Sequence, residues 1–299
     1  MVRVVRISDG LGNQMFQYAF ARKVQLRCGG SVYLDTRFIN NEDIIARGEK
    51  NRYLEENDSR EYGLNHFKIT LPIADERILT RWSYINSQST VERKIFELSQ
   101  RGIWFSHFKD EAKVQNRKRG SIWSYGLPVP TYFQGYYFSL KYYDDIKPIL
   151  QKEFHLRKQM RLPEWLKRVL QVENTVSIHV RRGDFTRLSQ DISKRSYYRR
   201  AVKLIKRRIP SPVFLIFSDE IEWVKENFNI DGEKIYISDM GFADYEEFTI
   251  MKHCKHHIVA NSTFSYWAAY LNPNVDKLVF YPEMWEKREI IPGNWIGIL

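Results

Sequence analysis

At 299 residues the chain exceeds the usual size of a single domain, so two domains of ordinary dimensions are expected. Its 43% hydrophobic content suffices for real cores and excludes a disordered tail as the main feature, while a net charge of +11 with 15% aromatics suits nucleic acid, an anionic membrane face or a phosphorylated small molecule. Cys28 and Cys254 form no CxxC pair or disulfide framework, MVRVVRISDG holds no signal-peptide h-region, and no run of about 18 apolar residues occurs, which together lead us to expect a cytoplasmic protein without a membrane span.

In chain order, Val2–Ile7 reads as a first strand. Gly10 and Gly12 then make a tight turn, and from Asn13 the pattern is helical up to Gly29–Gly30, a natural stop. Such a strand, glycine turn and helix present backbone N–H groups at a positive dipole end, an anion site, although an ordinary βα turn has the same look. Ser31–Asp35 reads as the next strand, and helices are expected around 74–82 and 91–100. The stretch 36–130 carries scattered Trp82, Trp104 and Trp123 and no repeat. TYFQGYYFS, Thr131–Ser139, is dense in rings and suits core packing or a sugar-stacking surface, with core favoured. Lys141–Phe154 reads as one helix, and Arg157–Glu173, with Pro163, as a linker leading into a helix. The domain boundary is therefore set at 156/157.

Beyond the linker the pattern turns regular, with strands at 175–180, 213–218, 234–238, 257–260 and 277–281. Helices at Ser196–Arg208, Ile221–Phe228, Tyr245–Lys255 and Phe264–Leu271 alternate with them, which predicts a parallel doubly wound sheet. Ser196–Arg208 lies in a basic run from Lys194 that suits a solvated face, with a membrane-surface contact as the functional alternative.

Each of these strands ends in polar residues. TVSIHV runs into Arg181, Arg182, Gly183 and Asp184; LIFS into Asp219 and Glu220; IYIS into Asp239; HIVA into Asn261, Ser262, Thr263, Phe264 and Ser265. Ligands of open α/β sheets bind beyond the carboxyl ends of the strands, so chain geometry gathers these groups at one edge. Paired guanidiniums, hydroxyls and a helix start suit a pyrophosphate. Asp184 has two readings, holding an arginine or acting on substrate. His253, His256 and His257 straddle a helix end and a strand start, so their side chains diverge and no metal site is expected.

Three segments, GLGNQMFQYAF (10–20), HVRRGD (179–184) and NSTFSYWAAYL (261–271), carry a resemblance to the inverting bacterial α-1,2-fucosyltransferases, glycosyltransferase family 11. Their order and spacing agree with that family over nearly the whole chain. H-x-R-R-G-D alone also recurs in α-1,6 and protein O-fucosyltransferases. The chain departs from the family at Asp9, where GGLGNQ has a glycine, at Tyr266 in place of the first Trp of SWW, and at Glu247, where many members carry Asp.

The resemblance implies an α/β fold of the GT-B class: two Rossmann-like domains, 1–156 on the acceptor side and 157–299 binding GDP-β-L-fucose, facing across a cleft. It implies that His179 and Glu247 recognise guanine and that Arg181 or Arg182 stabilises the departing β-phosphate. Asn261–Ser265 would hold phosphate oxygens, Asp219 would line the same donor site, and Gly10, Gly12, Asn13 and Gln14 would close over donor. Asp184 is the one motif carboxylate placed to act as base. The expected reaction is fucosyl transfer to the 2-OH of a β-galactoside, with no cofactor and no metal, in surface-polysaccharide or O-antigen synthesis. The acceptor is expected on a lipid carrier, with peripheral contact at the inner membrane. A basic nucleic-acid-binding protein is the distant alternative, set aside because the basic residues match no nucleic-acid motif.

Overall fold

The computed structural model describes residues 1–39, 61–85, 89–101, 105–111, 129–187, 190–193 and 196–299; Trp104, Trp123 and Lys194 lie outside them. The described residues up to Asn65 and from Ile69 to Ile146 form one compact unit, and His66–Lys68 with those from Lys147 onward form a second.

In the first unit β1 (Val2–Ser8) leads into α1 (Leu11–Cys28) and β2 (Ser31–Phe38). Short α2 (Glu76–Leu79), α3 (Thr90–Arg101), β3 (His107–Asp110) and β4 (Thr131–Gln134) complete it. The sheet order is β2-β1-β4-β3, all parallel. Met15, Phe16, Tyr18, Phe20 and Val24 are all buried, so α1 is covered on most of its circumference. Trp82, Phe108 and Tyr132 pack with Val4 and Phe38 in a second cluster. Strands β3 and β4 were not expected. Each has four residues, and buried Tyr132 and Phe133 are neighbours, so no alternation marks the strand.

The second unit opens with α4 (Lys147–Glu153) and α5 (Glu164–Val172). Then come β5 (Asn174–Val180), α6 (Gly183–Arg187), α7 (Tyr197–Arg208), β6 (Pro212–Ser218), α8 (Ile221–Asn227) and β7 (Glu233–Tyr236). It closes with α9 (Asp244–His253), β8 (His256–Ile258), α10 (Thr263–Leu271), β9 (Val279–Pro282) and β10 (Ile296–Ile298). The described pairings within its sheet are parallel, in the order β10-β9-β8-β5-β6-β7.

Two expectations about the join are corrected. Lys141–Phe154 is not one helix: 3-10 turns at Leu140–Tyr142 and Asp144–Ile146 precede α4. Pro148 has no N–H to donate, so an α-helix accepts it in its first turn and begins at Lys147. The boundary also falls earlier than 156/157, because α4 and the residues after it pack with the second unit. The Phe154 ring lies 5.7 Å from Trp267 and 5.9 Å from Phe67, and Lys252 Nζ donates to the Phe154 carbonyl at 3.0 Å. No helix among the described residues is long and apolar enough to cross a membrane.

Candidate functional site

In the second sheet the first strand, β5, lies in the middle. The chain then builds outward through β6 and β7, returns, and builds the other way through β8, β9 and β10. The reversal between β5 and β8 is a topological switch point, where the loops leaving two adjacent strands part and open a crevice. Val176, Ser177 and Ile178 pair with His256, His257 and Ile258. Carried forward, that register sets Val180 level with Ala260 and Arg181 level with Asn261. The arginine pair and the start of α10 therefore emerge side by side.

The two arginines do different things. Arg181 Nη2 donates to Asp184 Oδ1 at 2.6 Å and Nη1 pairs with Asp219 Oδ2 at 3.0 Å, leaving its side chain 22% exposed. Arg182 is buried. Its Nε donates to Glu220 Oε2 at 2.9 Å and its Nη1 to Asp191 Oδ2 at 2.9 Å and Ser193 Oγ at 2.7 Å, while its guanidinium covers the Trp223 ring at 3.5 Å. Arg182 thus ties the loop after β5 to α8, and Arg181 is the guanidinium at the open edge. Asp191, Ser193 and Trp223 had no signal in the sequence, since their relation to Arg182 exists only after folding.

Asp219 and Asp184 are placed as holders of Arg181. Asp219 Oδ1 also accepts the Arg182 main-chain N–H at 2.9 Å. Burial raises the Asp219 carboxyl above its ordinary range, against the opposing pull of Arg181. A Cβ on Gly183 would stand 2.6 Å from Asp219 Oδ2, so the motif glycine gives that pinned carboxylate its room.

Across the switch point, Ser262 caps α10 by accepting from the Phe264 N–H at 3.4 Å. Ser265 is fully buried; its hydroxyl accepts from Ala260 N–H at 3.2 Å and donates to the Ser262 carbonyl at 3.4 Å. Ser265 therefore shapes the turn, while Asn261, Ser262 and Thr263 lie at the helix start. The Phe264 ring lies 5.6 Å from the His179 ring, which links the end of β5 directly to the first turn of α10. Burial, then Arg181, push the His179 imidazole down to about 3, so it is neutral at ordinary pH. Among the described residues, six buried side-chain polar atoms have no hydrogen-bond partner, and two of them, His179 Nδ1 and Asn261 Oδ1, sit on these adjoining strand ends. Unsatisfied buried polar atoms are costly to a fold, and a pair of them at a switch point marks where a ligand's polar groups fit.

Glu247, on α9, reaches the ends of β6 and β7. The Ser218 N–H donates to Ser238 Oγ at 3.0 Å, and the Ser238 hydroxyl donates to Glu247 Oε2 at 2.9 Å. Burial pushes the Glu247 carboxyl up to about 7, opposed by the Ser238 bond and helped by Asp244. The three histidines go separate ways: His253 Nδ1 meets the Thr249 carbonyl, His256 Nδ1 accepts from Leu278 N–H, and His257 lies between Ser177 and Asn272.

In the first unit, Gly10 begins the turn into α1 and its carbonyl accepts from the N–H groups of Asn13 and Gln14. Gln14 is fully buried. Its Nε2 donates to the carbonyls of Asp9 (2.7 Å) and Glu61 (2.8 Å), and its Oε1 accepts from Gly63 N–H at 3.0 Å. Gln14 therefore holds the glycine turn against its neighbouring segment, and Gly12 is buried in the same turn of helix.

A parallel sheet with its first strand central, and polar strand ends gathered at the reversal, places the second unit in the Rossmann-type α/β class. The chain as a whole belongs to glycosyl transferase family 11, whose model matches residues 1–298. O-antigen biosynthesis glycosyltransferase WbnK of Escherichia coli is 27% identical, over 98% of this chain and 99% of WbnK. An alpha-1,2-colitosyltransferase of Escherichia coli is 26% identical, over 99% of this chain and 98% of that protein. Rat galactoside alpha-(1,2)-fucosyltransferase 2 is 31% identical over 46% of this chain and 43% of its own length.

Proposed function

We propose that this glycosyltransferase moves L-fucose from GDP-β-L-fucose to the 2-OH of a β-galactoside with inversion, giving an α-1,2 linkage. The observation that carries the reading is Arg181, held at the carboxyl end of β5 beside the start of α10. As the acceptor oxygen bonds to the fucose anomeric carbon, the bond from that carbon to the β-phosphate oxygen breaks and its electron pair stays with GDP. Arg181 and the N–H groups opening α10 stabilise the growing negative charge. Arg181 meets the donor by exchanging one carboxylate partner for a phosphate oxygen, and Asp184, so released, takes the acceptor proton. Asn261, Ser262 and Thr263 hold phosphate oxygens, His179 and Glu247 meet the guanine, and the Gly10–Gln14 turn contributes to donor binding.

The proposed role in O-antigen assembly rests on the name of one relative, and an acceptor on a lipid carrier is proposed with it. Arg199, Lys203 and Arg207, exposed on α7, are proposed as the contact with an anionic cytoplasmic membrane face. A colitosyl donor is the second reading, favoured by the full-length match to the colitosyltransferase. Incubation with GDP-fucose or GDP-colitose and a panel of β-galactosides, with linkage determination of the product, tests the donor, the acceptor and the linkage. The expected product is α-1,2-fucosylated, with turnover unchanged by EDTA. A different linkage, no transfer, or turnover restored only by a divalent ion would refute it.

Glu247 provides a pH prediction. Guanine offers N–H donors, which need a carboxylate, yet the Glu247 carboxyl is raised to about 7. Affinity for GDP-fucose, which has no group titrating near neutrality, is therefore expected to rise up to about tenfold from pH 6 to pH 8. Glu247→Gln should abolish the slope. Stability runs the other way: the contribution from the raised carboxyl is complete below its ordinary 4.5 and lost as pH rises through about 7. Calorimetric titration at several pH values measures the affinity; a flat profile in the parent protein excludes Glu247 from the guanine contact.

A further inference from the structure

We propose that Tyr136, with Asp9 beside it, is the platform on which the acceptor sugar stacks; the inference rests on the glycosyl-transfer reading above. The segment after β4 is built to present that ring. The buried carboxylate of Glu111 accepts from the consecutive N–H groups of Tyr136 (3.0 Å) and Tyr137 (2.6 Å) through the same oxygen, Oε2. Tyr137 takes a left-handed conformation, φ 59°, and turns inward to stack on Phe20 with centroids 3.6 Å apart. Tyr136 is thereby sent outward, 41% exposed, with its ring parallel to Phe138 at 5.1 Å.

The Tyr136 hydroxyl donates to Asp9 Oδ2 at 2.6 Å. Asp9 comes directly after β1, the strand paired with β4, and is itself left-handed at φ 64°. A glycine adopts that backbone without strain, and the family resemblance has one at this position. This chain instead accepts a strained residue and gains a carboxylate. Neither an exposed ring nor a strained acid serves the core. Both lie at the carboxyl edge of a parallel sheet, the edge where such folds take ligands.

An aromatic face beside a carboxylate matches one ligand chemistry well. A β-galactoside turns the C–H groups at C3, C4 and C5 to one side, where they lie flat on a ring, while its hydroxyls reach outward to an acceptor oxygen. Arg6, whose Nη1 donates to Gln134 Oε1 at 3.1 Å, and Gln134 itself add polar groups at the same edge.

Two measurements test the platform. Saturation-transfer NMR with methyl β-galactoside is expected to place the strongest protein contact on H3, H4 and H5, and to lose it in Tyr136→Ala. In steady-state assays Tyr136→Ala should raise the acceptor KM on the order of tenfold with donor KM unchanged. Tyr136→Phe, which keeps the ring and loses the bond to Asp9, should stay within about twofold of the parent. Asp9→Gly, free of strain, should melt no lower than the parent yet raise acceptor KM. The platform is overturned if the parent shows no galactoside contact, if Tyr136→Ala keeps the parental KM, or if Tyr136→Phe is as impaired as Tyr136→Ala. Galactoside contact without any sugar transfer would instead sink the transferase reading and leave the platform standing.

Discussion

Arg181→Ala is expected to lower turnover about 100- to 1,000-fold, roughly 3–4 kcal/mol of barrier, with the fold intact. Arg181 is partly open and paired with Asp184 and Asp219, so its removal takes charge from the proposed leaving group and little from the core. The loss should appear mainly in kcat, because charge on GDP grows as the sugar bond breaks. Arg181→Lys should recover little, since an ammonium cannot bridge the Asp219 carboxylate and a phosphate with a planar fork. Single-turnover kinetics with saturating GDP-fucose decide it. A rate within a few-fold of the parent would remove Arg181 from the chemistry.

Arg182→Met should do the opposite to its neighbour: it should unfold the site rather than merely silence it. The side chain of Arg182 is 10% exposed, against 15% for its partner Asp191 and 36% for Glu220. Methionine approximates its length but leaves Asp191 largely buried and without its cation, and gives up the contact with Trp223. Breaking a buried pair in this way costs about 3 kcal/mol, which lowers Tm by roughly 10 °C in a unit of this size. Adding Asp191→Asn should recover part of the loss, because the abandoned charge goes with it. Thermal melts of the single and double variants provide the measurement. A parental Tm for Arg182→Met would mean that the arginine is no anchor.

The second unit was far more legible in the sequence than the first. Strands β5 and β6 are seven residues each: β5 stands out because Val176, Ile178 and Val180 alternate with Ser177 and His179, and β6 because it is an apolar run. The polar residues beyond each strand could be placed because a parallel sheet sends all those loops to one edge. The start of α10 could be read from its capping residues. The roles of adjacent Arg181 and Arg182 could not, since Asp191, Glu220 and Trp223, which bury one and leave the other open, come from elsewhere in the chain. The chain of bonds from Ser218 through Ser238 to Glu247 was hidden for the same reason. In the first unit, β3 and β4 are too short to show a period, and Tyr136 differs from buried Tyr137 only through a backbone turn that no composition reveals.

Two neighbouring phenols at the start of α7 also matter. The Tyr197 hydroxyl donates to the carbonyls of Val259 (2.6 Å) and Phe280 (2.9 Å), and the Tyr198 hydroxyl donates to the carbonyl of His179 (2.8 Å). The Phe280 carbonyl also takes the Val259 N–H at 2.9 Å, and the two phenols add side-chain donors to the main-chain carbonyls where β5 and β8 end. The parted loops are thus braced in their spread position by the protein's own side chains. The nucleotide proposed to bind there would enter a berth already shaped for it, and its binding energy would be left for holding the sugar and the departing phosphate instead of prising the strands apart.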